Sequence, residues 1–205
     1  MKRLSALLAA TIAALCTISA EESSTVLLST MSARLSAMAP YRIEFEVSAP
    51  DAGSSRGSMV VDSMRYSIEI EGERLFSDGR LRYGISAAEQ TVTIDAVDPY
   101  NRNLLENPAE GFNFDAALFG STILSRDQKS IVMELVPAAG VLDAVDRVEL
   151  IISSETLLPR RIAYDIGGTI LTIDILNIGH VVLPAESFIF KPADYKDYDV
   201  VSFVD

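Results

Sequence analysis

A two-residue alternation of apolar and polar side chains runs through most of the sequence after residue 40. In the first such segment Tyr41, Ile43, Phe45 and Val47 are each followed by a polar or charged residue. Successive side chains of a strand point to opposite faces of its sheet, so this spacing predicts a strand with one apolar face. Further strands are predicted at 57–62, 64–71, 91–97, 131–135, 148–152, 161–166, 169–178 and 188–190.

Glycine-containing dipeptides mark tight turns between strands. Asp78 and Gly79 separate two short apolar segments, and Gly167 and Gly168 separate two of the predicted strands. Asp-Gly and Gly-Gly pairs favour two-residue β-hairpins. Closely spaced strands without an internal repeat or a linker predict one antiparallel domain, either a barrel or a strongly curved sheet.

Two helices are predicted beside the strands. Leu27, Met31 and Leu35 recur every four residues, which places them on one face of a helix that Pro40 ends. A second, short helix is predicted at 115–119, where residues of good helix propensity follow a polar loop.

The first twenty residues have the layout of a secretory signal peptide. Lys2 and Arg3 precede an uncharged, mostly apolar run at 4–18, and small residues follow up to Ala20. We therefore predict cleavage after Ala20, export, and a single domain at 21–205. An uncleaved membrane anchor is the alternative, which the length of the run disfavours because a span needs about 20 apolar residues.

Charge and composition narrow the function. The formal net charge is −12, and nucleic-acid binding needs clustered Lys and Arg, so no nucleic-acid partner is expected. Cys16, the only cysteine, lies within the predicted signal peptide, and His180 is the only histidine. Without a motif that supplies a nucleophile or metal ligands, His180 is interpreted as structural or solvent-facing. We expect no catalytic residues, no metal and no cofactor, and we interpret 194–199 as a solvated terminus.

The apolar strand faces admit two interpretations. They can fill a closed core, or the curved sheet can stay open and hold an apolar ligand on its concave side, beneath the apolar segment 112–119. Six methionines and no tryptophan fit an adaptable apolar lining.

Several features occur in an order that resembles a known family. They are the alternating strand at 41–47, a strand opened by Gly57, the Leu-Phe-Ser-Asp-Gly-Arg-Leu-Arg-Tyr segment at 75–83, the apolar segment 112–119 and a Pro-containing closing segment at 188–195. Together with the signal peptide and the first helix, this layout resembles the periplasmic outer-membrane lipoprotein carriers of the LolA type.

The resemblance implies an unclosed antiparallel half-barrel, with an N-terminal helix and a short helical lid over an apolar cavity. It implies a non-enzymatic, monomeric periplasmic carrier. Its cavity would receive the acyl chains of a lipoprotein from an inner-membrane ABC-type release complex and deliver them to an outer-membrane receptor.

On this interpretation, eight residues line the cavity and four form the lid. The cavity residues are Ile43, Phe45, Tyr66, Ile68, Tyr83, Ile94, Met133 and Ile173. The lid residues are Phe112, Phe114, Leu118 and Phe119. The family's lid-latching arginine has its nearest counterpart in Arg65, which alternation places on the face opposite Tyr66.

Two alternatives use the same fold. Periplasmic regulators of this kind bind lipid-like signals and act on a membrane protein partner. An enzyme built on this scaffold would have His180 as its general base.

Overall fold

The computed structural model describes residues 23–98, 114–142, 144–184 and 186–204 of the chain. The predicted signal peptide, with Cys16, and the predicted lid residue Phe112 lie outside these ranges. Within them, no helix combines the length and the apolarity that crossing a membrane requires.

A helix, α1 (Ser24–Ala37), opens the described chain and confirms the predicted apolar stripe. The Ser23 side chain caps it by accepting a hydrogen bond from the Val26 N–H at 3.3 Å. Leu27, Leu28, Met31 and Leu35 form its buried face.

The described residues form twelve strands. They are β1 (Tyr41–Ala49), β2 (Gly53–Asp62), β3 (Arg65–Ile70), β4 (Glu73–Ser77), β5 (Leu81–Ser86), β6 (Thr91–Ala96), β7 (Phe119–Arg126), β8 (Ser130–Pro137), β9 (Arg147–Ser153), β10 (Pro159–Ile166), β11 (Thr169–His180) and β12 (Asp199–Ser202).

All twelve strands belong to one sheet that does not close. Their order is β12-β6-β5-β4-β3-β2-β1-β11-β10-β9-β8-β7, so β12 and β7 are its two edges. Neighbouring strands are antiparallel except for β12, which runs parallel to β6. The predicted mainly-β, unclosed antiparallel architecture with an N-terminal helix is therefore confirmed, with one parallel strand added at an edge.

Strand register aligns the apolar residues on one face of the sheet, which we call the inner face. Ile43 pairs with Met59, Met59 with Ile68 and Ile68 with Leu75. The buried side of α1 packs against this face. Together they form the main cluster, whose buried members are Leu27, Leu28, Met31, Leu35, Tyr41, Ile43, Phe45, Met59, Val61, Tyr66, Phe114, Phe119, Ile131, Met133, Leu135, Val148, Leu150, Ile152, Ile162 and Tyr164.

A second cluster lies on the opposite, outer face of β4–β6. We call it the outer cluster; it consists of Phe76, Tyr83, Ile85 and Val92, with Phe190, Tyr195 and Tyr198 of the C-terminal segment packed against them. The Tyr83 and Phe190 rings stack at 4.7 Å, and the Phe190 and Tyr195 rings stack at 5.4 Å. The charged residues of 194–199 are exposed, as expected of a solvated segment, while Tyr195 and Tyr198 are half-buried against the outer cluster before the chain enters β12.

Two predicted elements are corrected by the structure. The short helix at 115–119 is instead a turn at 116–118 followed by β7. The Asp115 carboxylate accepts a hydrogen bond from the Ala117 N–H at 2.9 Å, a local turn geometry that competes with helix formation. The predicted strand at 188–190 does not form either, since the Ile189 N–H bonds to the Glu186 carbonyl in a turn, and the final strand is β12.

Candidate functional site

Helix α1 is tied by polar contacts to the β7–β9 side of the sheet. Ser24 Oγ donates to the Ser121 carbonyl in β7 at 2.8 Å. Ser32 Oγ donates to the Phe114 carbonyl at 2.9 Å, and Arg34 Nη1 donates to the carbonyl of Thr156, after β9, at 2.5 Å. These bonds seat the helix over one half of the inner face.

The other half of the inner face carries an open depression, which we call the inner trough. Its volume is about 450 Å³. A cross-strand row of Ile68, Leu75, Gly84 and Thr93 forms its floor. Beside this row the lining consists of the aliphatic residues Ile70 and Ile85, the hydroxyl residues Ser86 and Thr91, and, among charged residues, Glu73, Arg74 and Glu89.

Gly84 is closely packed within the floor of the inner trough. A Cβ atom at this position would lie 2.8 Å from Thr93 Oγ1 and 3.9 Å from a methyl carbon of Leu75. A side chain at this position would therefore displace Thr93, so the close packing of the floor requires glycine here.

A polar row lies two residues further along the same strands. It consists of Tyr66, Ser77, Arg82 and Asp95, which are paired across β3–β6. Arg82 Nη2 donates to Asp95 Oδ2 at 2.9 Å. Ser77 Oγ accepts a hydrogen bond from the Gly79 N–H at 3.0 Å. The inner trough thus has an aliphatic floor beside a row of hydrogen-bonding groups.

Tyr66 is the most unusual member of the polar row. Only 1% of its surface is exposed, and its hydroxyl has no hydrogen-bond partner in the described part of the chain. Burial raises the pKa of Tyr66 to about 12, and the nearby Arg82 guanidinium opposes this rise. The side chain is therefore neutral and keeps its proton available for donation.

The predicted cavity residues fall into two groups. Ile43, Phe45, Tyr66 and Met133 are buried in the main cluster, and Ile68 and Ile173 pack against it while partly exposed. Tyr83 and Ile94 do not join them, because their side chains lie on the outer face in the outer cluster.

The described part of the predicted lid belongs to the main cluster. Phe114 is buried, and its ring meets the Phe119 ring edge-on at 5.5 Å. Leu118 is partly buried against the same cluster, and Phe119 is the first residue of β7. Phe114 precedes the turn at 116–118, Leu118 ends that turn and Phe119 begins β7.

Arg65 faces away from the inner trough, as alternation predicted. It forms an ion pair with Asp62, and its guanidinium lies 5.3 Å from the centre of the Phe188 ring. In the structure Arg65 therefore holds the C-terminal segment against the outer face.

A second groove lies on the outer face, beneath 181–188. Its volume is about 470 Å³, and its lining includes Arg42, Ser58, Ser67, Glu69 and Arg74. Charged and hydroxyl groups dominate its floor, and Val181, Leu183 and Phe188 line its other side. Its surface is therefore more polar than that of the inner trough, and an acyl chain is better solvated by the trough.

His180 has a structural contact. Its Nδ1 atom lies 3.0 Å from the Met38 carbonyl oxygen at the end of α1, which links the last residue of β11 to the helix. In the described ranges no group of His, Cys, Asp and Glu side chains is arranged to hold a metal ion.

Sequence reasoning missed Leu75, Gly84 and the Arg82–Asp95 pair. Leu75 and Arg82 lie in the segment that suggested the family, but the adjacent Phe76 and Tyr83 have the stronger apolar signal. The signal that could have identified them is the register of the hairpin at Asp78-Gly79. It pairs Leu75 with Gly84 and Phe76 with Tyr83, so Leu75 and Tyr83 lie on opposite faces.

Structural comparison identifies the fold. No protein-family model and no curated protein matches the sequence. A domain from Vibrio parahaemolyticus, described as an outer-membrane lipoprotein-sorting protein domain, aligns with a TM-score of 0.51 and 8% identity, over 84% of this chain and 98% of that one. The chain has a LolA-like fold.

Two further structures were found in the same comparison. An uncharacterized conserved protein from Thermus thermophilus matches this LolA-like fold with a TM-score of 0.58 and 10% identity, over 85% of this chain and 98% of that one. A LolA superfamily protein from Nitrosomonas europaea gives a TM-score of 0.46 and 11% identity, over 83% and 98% of the two chains.

Proposed function

We propose that this chain is a carrier that shields acyl chains on its inner face. The observation that carries the proposal is the inner trough. The apolar inner face continues beyond the area covered by α1, and its floor residues Ile68 and Leu75 are only partly buried. A volume of about 450 Å³ lies within the roughly 300–1,000 Å³ typical of ligand pockets.

Acyl chains need such a carrier to cross an aqueous compartment. Each buried CH₂ group contributes about 0.8 kcal/mol to binding. An open trough bounded by the hydroxyls of Ser86 and Thr91 lets a chain enter and leave from one side. This openness fits a protein that must release its cargo.

The cargo we propose is a lipoprotein, carried through the periplasm after removal of the signal peptide. An inner-membrane ABC-type complex would load the carrier, and an outer-membrane receptor would take the lipoprotein from it. The LolA-like fold and the family resemblance of the sequence support this route. The carrier would act without catalysis and as a monomer.

Mass spectrometry of protein purified from its own periplasm tests the proposal. Native spectra should show added mass that disappears on denaturation and is identified as an acylated lipoprotein. A free phospholipid or other small lipid would instead indicate lipid transfer or the sensor alternative. Absence of any adduct after co-expression with an abundant lipoprotein would contradict the carrier function.

Matched variants connect the bound mass to the inner trough. Leu75→Asp places a charge on the trough floor and should abolish the adduct while the circular-dichroism spectrum stays folded. Leu176→Asp changes a leucine that is 52% exposed and outside both clusters, so it should retain the adduct. Equal retention by both variants would place the lipid elsewhere.

A further inference from the structure

The buried hydroxyl of Tyr66 is the starting point. It lies on β3 in the main cluster and has no acceptor among the described residues. Leaving a buried polar group without a partner costs about 1–3 kcal/mol. Buried polar groups in folded proteins are almost always hydrogen-bonded, so an exception requires an explanation.

Neighbouring polar groups do not supply the missing acceptor. The Asp95 carboxylate is bonded to Arg82, and Ser77 accepts from the Gly79 main chain. The Tyr66 hydroxyl is also distinct from Tyr83, whose hydroxyl bonds to Asp78 Oδ2 at 3.4 Å. The Tyr66 hydroxyl is thus a buried side-chain group that has no hydrogen-bond partner of either kind among the described residues.

Tyr66 also stands next to the inner trough. Ile68, on the trough floor, is two residues along the same strand and on the same face. Two residues of a strand advance about 7 Å. Tyr66 is not part of the trough lining, and its hydroxyl is buried in the main cluster. The polar end of an acyl chain lying on Ile68 and Leu75 therefore reaches Tyr66 only by entering the edge of the main cluster beside the trough.

We propose that Tyr66 is a ligand-binding residue that donates a hydrogen bond to a carbonyl oxygen attached to the acyl chain. The site would accordingly select acyl esters, acyl amides or carboxylates over alkyl chains without a carbonyl. This inference rests on the proposed carrier function and adds the chemical class of the ligand's polar end.

The chemistry of the polar row supports this class. A neutral tyrosine O–H and a guanidinium are both donors, and a carbonyl or carboxylate oxygen accepts from them. The positive charge of Arg82 is neutralised by its ion pair with Asp95. An uncharged ester can therefore bind beside the pair without leaving the guanidinium unpaired.

A pair of lipids that differ only in the carbonyl tests the proposal. Dipalmitoylglycerol carries two ester carbonyls, while dihexadecylglycerol carries ether oxygens on chains of the same length. We expect the purified chain to bind the ester about fivefold or more tightly, the ratio that one net hydrogen bond provides. Tyr66→Phe should bring this ratio close to one and leave ether binding unchanged. Palmitate, measured in parallel, distinguishes a carboxylate from an ester acceptor.

Tyr164→Phe is the matched control. Tyr164 is another buried tyrosine of the inner face, on β10 in the main cluster, and its variant should keep the preference for the ester. Without ligand, Tyr66→Phe should unfold at the same temperature as the unmodified chain or a higher one, because it removes an unsatisfied hydroxyl.

Each outcome decides between the possibilities. An ester-to-ether ratio that is the same in the unmodified chain and in Tyr66→Phe would overturn the role of Tyr66 while the carrier function stands. A clearly lower melting temperature of ligand-free Tyr66→Phe would also overturn it, since the hydroxyl would then have a partner in the free protein. Failure of the unmodified chain to bind either lipid would overturn the carrier function, and this inference with it.

Discussion

At the scale of single residues, Gly57 shows how closely the inner face is packed. A Cβ atom at this position would lie 2.7 Å from Phe45 Cζ and 2.8 Å from the Glu69 carbonyl oxygen. The Phe45 ring can tilt away from an added Cβ atom. The Glu69 carbonyl cannot move as easily, because it belongs to the main chain of β3, which is paired with β2. Gly57→Ala should therefore lower the free energy of unfolding by about 1–3 kcal/mol, measured by urea denaturation.

Gly120→Ala is the control for this prediction. Gly120 also lies within a strand, β7, but its Cβ atom would meet only the Val136 carbonyl oxygen, at 3.8 Å. Its variant should change the stability by less than about 0.5 kcal/mol. If both alanine variants lost the same stability, crowding over Gly57 would not be the cause.

Asp127 gives a prediction about pH at the same scale. The main-chain N–H groups of Lys129 and Ser130 both donate to its carboxylate at 2.7 Å, in the turn between β7 and β8. These bonds hold the pKa of Asp127 below its usual value of 3.8. Because the pKa is lowered by folding, Asp127 stabilises the turn above its unfolded pKa, and this contribution is lost as the pH falls through the lower folded value.

Carboxyl-carbon NMR titration measures this pKa directly. Asp127 should titrate below 3.8 in the folded chain and at its usual value in a peptide that spans the turn. In Asp127→Asn the amide oxygen still accepts hydrogen bonds but does not titrate. The loss of stability that protonation of Asp127 causes at low pH should therefore be absent in this variant. A folded-state pKa at or above 3.8 would show that the two N–H bonds do not persist in solution.

At the scale of elements, the C-terminal segment acts as a structural cover of the outer face. Phe190 stacks on Tyr83 at 4.7 Å and on Tyr195 at 5.4 Å. Phe190→Ala should cost about 2 kcal/mol of stability, less than a fully buried phenylalanine, because its ring is only partly buried. Phe203→Ala is the control, since Phe203 is 70% exposed and should change stability little. Equal losses in the two variants would argue against the stacked cover.

Elements also show what alternation can and cannot predict. In β1, sequence spacing groups Ile43 and Phe45 on one apolar face, and in the structure this face is the inner one. In β5 the apolar residues Tyr83 and Ile85 alternate with Arg82 and Gly84 in the same way, yet they face outward. Spacing groups residues by face, but the choice of the inner face depends on which distant segment covers the other one.

Local hydrogen bonds explain the remaining misassigned elements. Asp115 carries the side-chain oxygen that turns the chain just before Phe119, and this contact outweighs the helix propensity of the alanines that follow. β12 pairs with β6 in parallel, with Val200 opposite Val92. A strand of four residues at a sheet edge has too little alternation to be recognised before its partner is known.

At the scale of the whole molecule, the two faces of β3–β6 serve different roles. On the outer face, the aromatic stack of the C-terminal segment covers the outer cluster of β4–β6. The inner face exposes an aliphatic floor next to paired polar groups. Helix α1 fixes the other half of the inner face through bonds to Ser121, Phe114 and Thr156. The inner trough can therefore hold an acyl chain on Ile68 and Leu75 while α1 stays packed on the other half of the inner face.

This division predicts that bound lipid protects one face only. In a chain carrying Cys16→Ser, Leu75→Cys places a thiol on the trough floor, and Leu176→Cys places one on an exposed site outside both clusters. A saturating acyl lipid should slow maleimide labelling of the first thiol about tenfold or more. The reason is that only the small fraction of protein molecules without bound lipid can then react at this position. Labelling of the second thiol should stay unchanged. Equal slowing at both positions would indicate adsorption of lipid over the whole surface, and no slowing at Leu75→Cys would separate lipid binding from the inner trough.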